Sequence, residues 1–308
     1  MLRNGLIGMI AVLLLVCPMT AQRGVTAFYR LEDDFLHYNG HGSDRYYTGG
    51  MALGISTVKY KSGIQWNRWL IQQRVFTPTD ITKPEVQYRD YPYAGLLYGE
   101  FSHARIDSTG KFGCSYRMGI GASGKNSLAA PFQKEFHRWI DYKRPMGWDH
   151  VVEAGIVCQL EGTAFARIAN DPWASWFGFG TAEAGTIFSS LTAGTSIQFG
   201  YGGGHLPVHF FPGMSAKTSK KWRFYAFFVP RLSWIIKNKI LSQGLLANPL
   251  VINGEEGISI SPFVLQTSTG LYLDVFPVSL RLAQHYNTKE FAKARPHTFG
   301  EISLFYSW

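Results

Sequence analysis

Glu301-Ile302-Ser303-Leu304-Phe305-Tyr306-Ser307-Trp308 closes the chain, and its reading decides the fold. Successive side chains of a strand point to opposite faces. Ile302, Leu304, Tyr306 and Trp308 therefore share one face, and Glu301, Ser303 and Ser307 share the other with Phe305. A last strand that is apolar on one side, mostly polar on the other and ends on an aromatic is what a transmembrane β-barrel requires. A soluble sandwich gives the same alternation but no reason to stop on the aromatic.

The other end agrees. Arg3, the apolar run Leu6 to Val16 and the small-residue site Met19-Thr20-Ala21 before Gln22 predict a secretory signal peptide over residues 1–21. The run is too short for a spanning helix, and Leu14-Leu15-Val16 before Cys17 is a poor lipoprotein signal. No later apolar run is long enough for a membrane helix. Residues 22–308 are predicted to form one all-β domain, since no repeat, linker or low-complexity segment divides them. Its 46% hydrophobic and 15% aromatic content beside only 17% charged residues suits lipid contact. The net charge of +9 is scattered and forms no stripe, which excludes nucleic acid as a partner. Cys114 and Cys158 lie in apparent strands and are expected as buried thiols, not a disulfide framework.

Strands are predicted near 25–36, 46–59, 66–76, 93–106, 111–122, 149–163, 174–188, 190–200, 221–236, 258–270, 271–286 and 296–308. Twelve is even, as closure with both termini in the periplasm demands. The first strand then runs outward, which puts the loop Tyr38–Ser43 and the segments 77–92, 123–148, 237–257 and 287–295 at the cell surface. The Gly/Pro-rich segment 201–220 falls on the periplasmic side, where turns are usually short.

Two stretches on the outer rim carry candidate chemistry. Leu31-Glu32-Asp33-Asp34-Phe35 ends the first strand, and Ser43-Asp44-Arg45-Tyr46-Tyr47-Thr48-Gly49-Gly50 opens the second, with turn formers between. Adjacent carboxylates repel unless water or a cation intervenes. A solvated loop edge is the plain reading; a hard-cation site with Thr48 facing it is the functional one. Farther on, Pro131-Phe132-Gln133-Lys134-Glu135-Phe136-His137-Arg138-Trp139-Ile140-Asp141 has apolar residues at helical spacing. A short amphipathic helix ended by Pro145 is expected to lie across the barrel mouth. It would carry His137 and Asp141 on one face.

With Phe76-Thr77-Pro78, Tyr91-Pro92-Tyr93-Ala94-Gly95, Pro145-Met146-Gly147-Trp148 and Thr288-Lys289-Glu290-Phe291, these stretches follow a recognisable order. From about residue 26 to the end the chain resembles the outer-membrane lipid A deacylases of the 3'-O-deacylase type. These are twelve-stranded barrels that hydrolyse an ester-linked acyloxyacyl group of lipopolysaccharide. The resemblance implies a calcium-dependent esterase at the cell surface, with lipopolysaccharide as substrate; a monomer is expected, though the sequence does not fix the oligomeric state. It assigns Asp34 to the family's Asp, Thr48 to its hydroxyl and His137 to its general base, with Asp33, Asp34 and Asp141 as candidate metal ligands. Asp33 stands where the family has Asn. For the family's acidic residue downstream of the His, Asp141 and Glu153 are both in range. The competing readings are a non-enzymatic pore or structural barrel, and a phospholipase-type barrel. Which acyl position is cut is not written in the sequence.

Overall fold

A computed structural model describes residues 24–37, 44–85, 87, 90–153, 155–201, 210–211, 214, 222–242 and 258–308. The predicted signal peptide and the loop Tyr38–Ser43 lie outside the described residues. Twelve antiparallel strands run β1 Gly24–Asp33, β2 Tyr46–Tyr60, β3 Gly63–Thr77, β4 Ala94–Asp107, β5 Phe112–Ser123 and β6 Ile156–Asn170. They continue as β7 Ala174–Gly185, β8 Phe188–Tyr201, β9 Trp222–Asn238, β10 Phe263–Val275, β11 Val278–Asn287 and β12 His297–Ser307. Each pairs with its neighbours in sequence and β1 pairs with β12, so the sheet is a closed barrel. Closure satisfies every backbone group within the sheet, the condition for crossing hydrocarbon with strands. Among the described residues no helix is long and apolar enough to cross.

The predicted architecture is observed, with three local differences. The tenth strand runs on through 270 to Val275 and the eleventh begins at Val278, so their hairpin turns at Phe276-Pro277 and not at 270–271. The sixth strand begins at Ile156, not near 149, because Gly147–His150 forms a 3-10 turn whose Trp148 is buried and Val152 N–H donates to the Tyr93 carbonyl. Cys114 and Cys158 are free and exposed on the outer wall, not buried.

Alternation sorts the side chains onto two surfaces. On β2, Leu53 and Ile55 are about half exposed, whereas Ala52, Ser56 and Val58 are buried in the lumen. On β12, Ile302 and Leu304 face out while Glu301, Ser303 and Ser307 face in, as the terminal pattern predicts. The outer face is apolar: Trp69, Ile71, Met118, Ile120, Leu160, Leu232 and Trp234 all stand exposed on it.

Polar and charged side chains line the lumen. Its buried charges are paired, as burial demands: Arg68 with Glu100 at 2.9 Å, Arg281 with Glu301 at 3.1 Å, and Arg223 with Asp274. Aromatic caps lie above and below them. At the rim of the long connections Tyr46, Tyr47, Phe76, Tyr91 and Phe291 pack together, Phe76 stacked on Tyr91 at 5.7 Å. At the rim of the short turns Trp66, Phe165 and Phe177 enclose Phe211 and Met214. Those two, numbered within the 201–220 connection, are its described residues packed in this cluster, with Phe210 beside them.

Phe28 stacks on Phe305 across the β1–β12 seam at 5.9 Å and is buried. Phe28→Ala is expected to destabilise the barrel by about 3–5 kcal/mol through the cavity left at the seam. Urea unfolding followed by the heat-modifiable gel shift measures this; an unchanged midpoint would place the closing contact elsewhere.

Candidate active site on the outer wall

β1 faces Arg30 and Glu32 into the lumen, so Asp33, one residue on, lies on the outer side of the wall. Asp33 caps a single 3-10 turn over Asp34–Leu36, its Oδ1 accepting the Phe35 N–H at 2.7 Å. The turn buries the Asp34 carboxylate, whose Oδ2 accepts the Arg45 N–H at 3.2 Å. The side chain at 33 thus holds the backbone that places the side chain at 34.

Thr48 reaches the same side by a break in the ladder. Even-numbered β2 residues face the lumen, and regular alternation would send Thr48 there. Instead the register slips between Tyr47 and Gly49, opposite Phe76 and Val75. The bulge leaves Tyr47 inside, its hydroxyl donating to Glu32, and gives Thr48 a hydrogen bond with the Thr77 hydroxyl on the outer side. Bulges commonly re-aim one side chain in this way. Tyr46 beside it holds φ +61°, a left-handed conformation that is rare for a bulky residue.

The helix α1, Ala129–Ile140, does not lie across the mouth. It packs on the outer wall over β3 and β4. Outward-facing Gln73 donates to the Ser127 carbonyl, and Val75 packs with Ala129, Tyr93 and Trp148. Gly95 faces Ala129 and Ser127, and a Cβ there would collide with both. The wall offers this small-residue seat. The buried face of α1 is Ala129, Gln133 and His137. Gln133 accepts the Trp148 indole N–H at 2.8 Å. The aromatic stripe expected to pack inward is turned away instead: Phe132 and Phe136 stack on each other, and Trp139 and Ile140 are exposed. Such a face lies comfortably at a membrane surface. The helix ends at Ile140 with Asp141 left-handed, and Tyr142 N–H bonds the His137 carbonyl at 2.9 Å, well before Pro145.

His137 is 3% exposed. Its Nδ1 lies 2.6 Å from the Lys143 carbonyl, which fixes the proton on Nδ1 and leaves Nε2 as the free nitrogen of the neutral ring. Nε2 faces Asp44 Oδ1 at 3.6 Å, and among the described residues the other Asp44 oxygen is buried without a partner. Burial opposes a charge on His137, yet Asp44, the Lys143 carbonyl and Asp33 together raise its pKa. Burial, with repulsion from Asp44 and Asp33, pushes the Asp34 carboxyl well above the usual range against the Arg45 amide.

Asp33, Asp34, Thr48 and His137 are therefore on one side of the wall at one rim. Asp141 and Glu153 are exposed, and neither is among the groups acting on His137. The carboxylate beside the imidazole is Asp44, which the sequence reading missed as a site residue. Its place within the Asp44–Gly50 stretch was the available signal. Of the basic loop residues, Lys83 pairs with Asp80 at 3.7 Å, Lys143 and Arg144 are exposed, and Arg89 lies outside the described residues.

Calcium prefers several oxygen ligands, and the donors here are carboxylates and a hydroxyl. The unpartnered Asp44 oxygen and the crowded Asp34 carboxyl are what a hard cation relieves. Among the described residues no three acidic, His or Cys side chains stand close enough to hold an ion alone. The donor chemistry fits, with backbone, water or substrate oxygens completing the shell.

The family model described as outer membrane protein LpxR matches residues 8–308. The chain belongs to the LpxR family. LpxR from Salmonella typhimurium is 19% identical over 91% of this chain and 99% of its own, with a TM-score of 0.77, so the two share the barrel fold. The β-domain of the Bordetella autotransporter BrkA (9% identical, 93% and 98% covered) and the translocator domain of NalP from Neisseria meningitidis (10%, 99% and 95%) superpose less well, at TM-scores of 0.45 and 0.41. A search of curated proteins finds no match. As an LpxR-family member the chain is an outer-membrane β-barrel.

Gly95→Leu should lift α1 from the wall while leaving the barrel closed. Trypsin cutting after Lys143 should become markedly faster with the heat-modifiable band retained. Unchanged cleavage would mean that the helix is held by other contacts.

Proposed function

We propose that the chain, after removal of residues 1–21, is an outer-membrane esterase that hydrolyses an ester-linked acyl or acyloxyacyl chain of lipid A in lipopolysaccharide. One observation carries the reading. A buried histidine with its Nδ1 fixed and its Nε2 free lies beside carboxylates on the lipid side of an LpxR-family barrel, not in its lumen. A substrate whose acyl chains are already in the membrane would reach that wall sideways. The long-connection rim is assigned to the cell surface, where lipopolysaccharide resides, and a monomer suffices.

In the proposed reaction His137 Nε2 takes a proton from water as the water oxygen adds to the ester carbonyl. The same proton then passes to the departing alkoxide, releasing a fatty acid and a free hydroxyl. Asp44 stabilises the imidazolium formed between these steps. Thr48, aimed outward by the bulge, positions the water or the ester. Asp33 and Asp34, with Asp44, are the residues that would hold calcium, which when bound polarises the carbonyl oxygen. Exposed Lys143 and Arg144 suit the phosphates of the head group.

The paired charges inside the barrel and the aromatic cluster at each end weigh against the pore reading. A phospholipase reading shares this wall and is separated only by substrate.

Mass spectra of lipid A from cells with and without the protein test the proposal. Loss of one acyl or acyloxyacyl mass on expression is expected; unchanged lipid A with cleaved glycerophospholipid would support the phospholipase instead. A base must be unprotonated, so the rate should fall as the pH drops through the pKa of His137. In the cation-free protein Asp44 and Asp33 hold that pKa above the ordinary imidazole value, and calcium on the same carboxylates would lower it. Chelator should abolish turnover and calcium restore it, and Asp34→Asn should weaken the restoration. Glu32→Gln, on the lumen side, should leave calcium dependence unchanged. Full activity in chelator removes calcium from the account.

A further inference from the structure

The outer wall carries a second feature, at the opposite rim from His137. Lys59, Gln65, Arg105, Cys114, Ala164, Gly180, Ala193 and Leu232 occupy one continuous cross-strand row from β2 to β9. All point outward by strand parity. The row starts beside the short turns, since Arg105 and Cys114 are near the ends of β4 and β5. It climbs toward the middle of the wall at β8 and β9.

Two open crevices lie along it and share Cys114 and Ala164. The first, about 560 Å³, is lined at the rim by Lys61, Gln65 and Arg105, with Phe112 on one flank. The second, about 650 Å³, runs over Gly162, Gly180, Ala182 and Ala193 to Leu232 and Trp234. Small floor residues between larger flanking ones make the two a single slanting furrow.

The charges at its lower end are two cations to one carboxylate. Among the described residues neither Lys61 nor Arg105 has an ion-pair partner. The one carboxylate lining that crevice, Asp107, is engaged by its own turn: it accepts from the Thr109 hydroxyl and from Phe112 N–H at 2.9 Å. A basic end at head-group depth, continuous with an apolar trough up a lipid-facing wall, has the shape and polarity of one kind of ligand.

We infer that this furrow is a binding site for an anionic glycerophospholipid. Its phosphate is held by Lys61 and Arg105, its head group is within reach of Gln65, and an acyl chain lies over Cys114, Ala164, Gly180 and Ala193. Basic pockets at membrane interfaces bind anionic head groups by this combination. In the orientation proposed above the short-turn rim faces the periplasm, so the lipid comes from the inner leaflet and is not the ester substrate. The inference rests on that orientation but not on any hydrolysis.

Native mass spectrometry of the detergent-purified barrel, given dioleoylphosphatidylglycerol or the matching phosphatidylcholine, tests it without an activity assay. The wild type should keep one phosphatidylglycerol and not the phosphatidylcholine. With both Lys61→Gln and Arg105→Gln, retention should fall on the order of tenfold or more, from the loss of two interfacial charges. Ala164→Phe, which fills the floor but leaves the charges, should lower retention as well. The heat-modifiable band reports folding for each variant. Equal retention of the two lipids by the wild type overturns the inference and needs no variant. So does undiminished binding by the charge variant, or a lipid-free dimer, which would make this face a contact between copies.

Discussion

The pairing of β1 with β12 is the constraint on which the rest depends. In hydrocarbon an unpaired edge strand leaves backbone groups with no partner, so the first and last strands must find each other. Thr26 and Ser307 share a hydrogen bond at 2.8 Å across that seam, and Phe28 stacks on Phe305. Once the sheet is closed, each side chain has only two destinations, lumen or lipid. The sequence alternation then builds both surfaces at once.

The site follows from one departure from that alternation. Without the slip, the Thr48 hydroxyl would enter the lumen near Glu32 and Arg74, and Tyr47 would turn outward. With the slip, it joins Thr77 and the side of the wall that carries Asp33. The helix completes the arrangement because Gly95 leaves room for Ala129 and Ser127 against β4. The carboxylates, the hydroxyl and the imidazole come from segments far apart in sequence, all delivered to one rim of the wall.

Much of this was legible in the residues and some was not. The alternation from Ile302 to Trp308 is strong because each outward position is apolar and each inward one, save Phe305, is polar. The count of twelve came separately, from placing strands along the whole chain. The opposite orientations of Glu32 and Asp33 needed only the period of two. The bulge did not announce itself, since Tyr46-Tyr47-Thr48 reads as ordinary strand and the slip depends on what Phe76 and Val75 present across it. The helix was legible, but its packing face was not. In a membrane protein the apolar stripe of Phe132, Phe136 and Trp139 has lipid as an alternative to protein, so periodicity does not say which face turns inward. Asp44 was overshadowed by the adjacent pair Asp33-Asp34, and its approach to His137 arises only when the helix folds onto the wall.

The central claim is that His137 on the outer wall removes the proton that starts ester cleavage. It is tested most directly by turnover of purified lipopolysaccharide by the wild type and by His137→Ala, each shown to be folded by its heat-modifiable band. The account predicts a loss on the order of 10²–10⁴-fold, the usual contribution of a positioned base. Wild-type turnover by folded His137→Ala protein would contradict it.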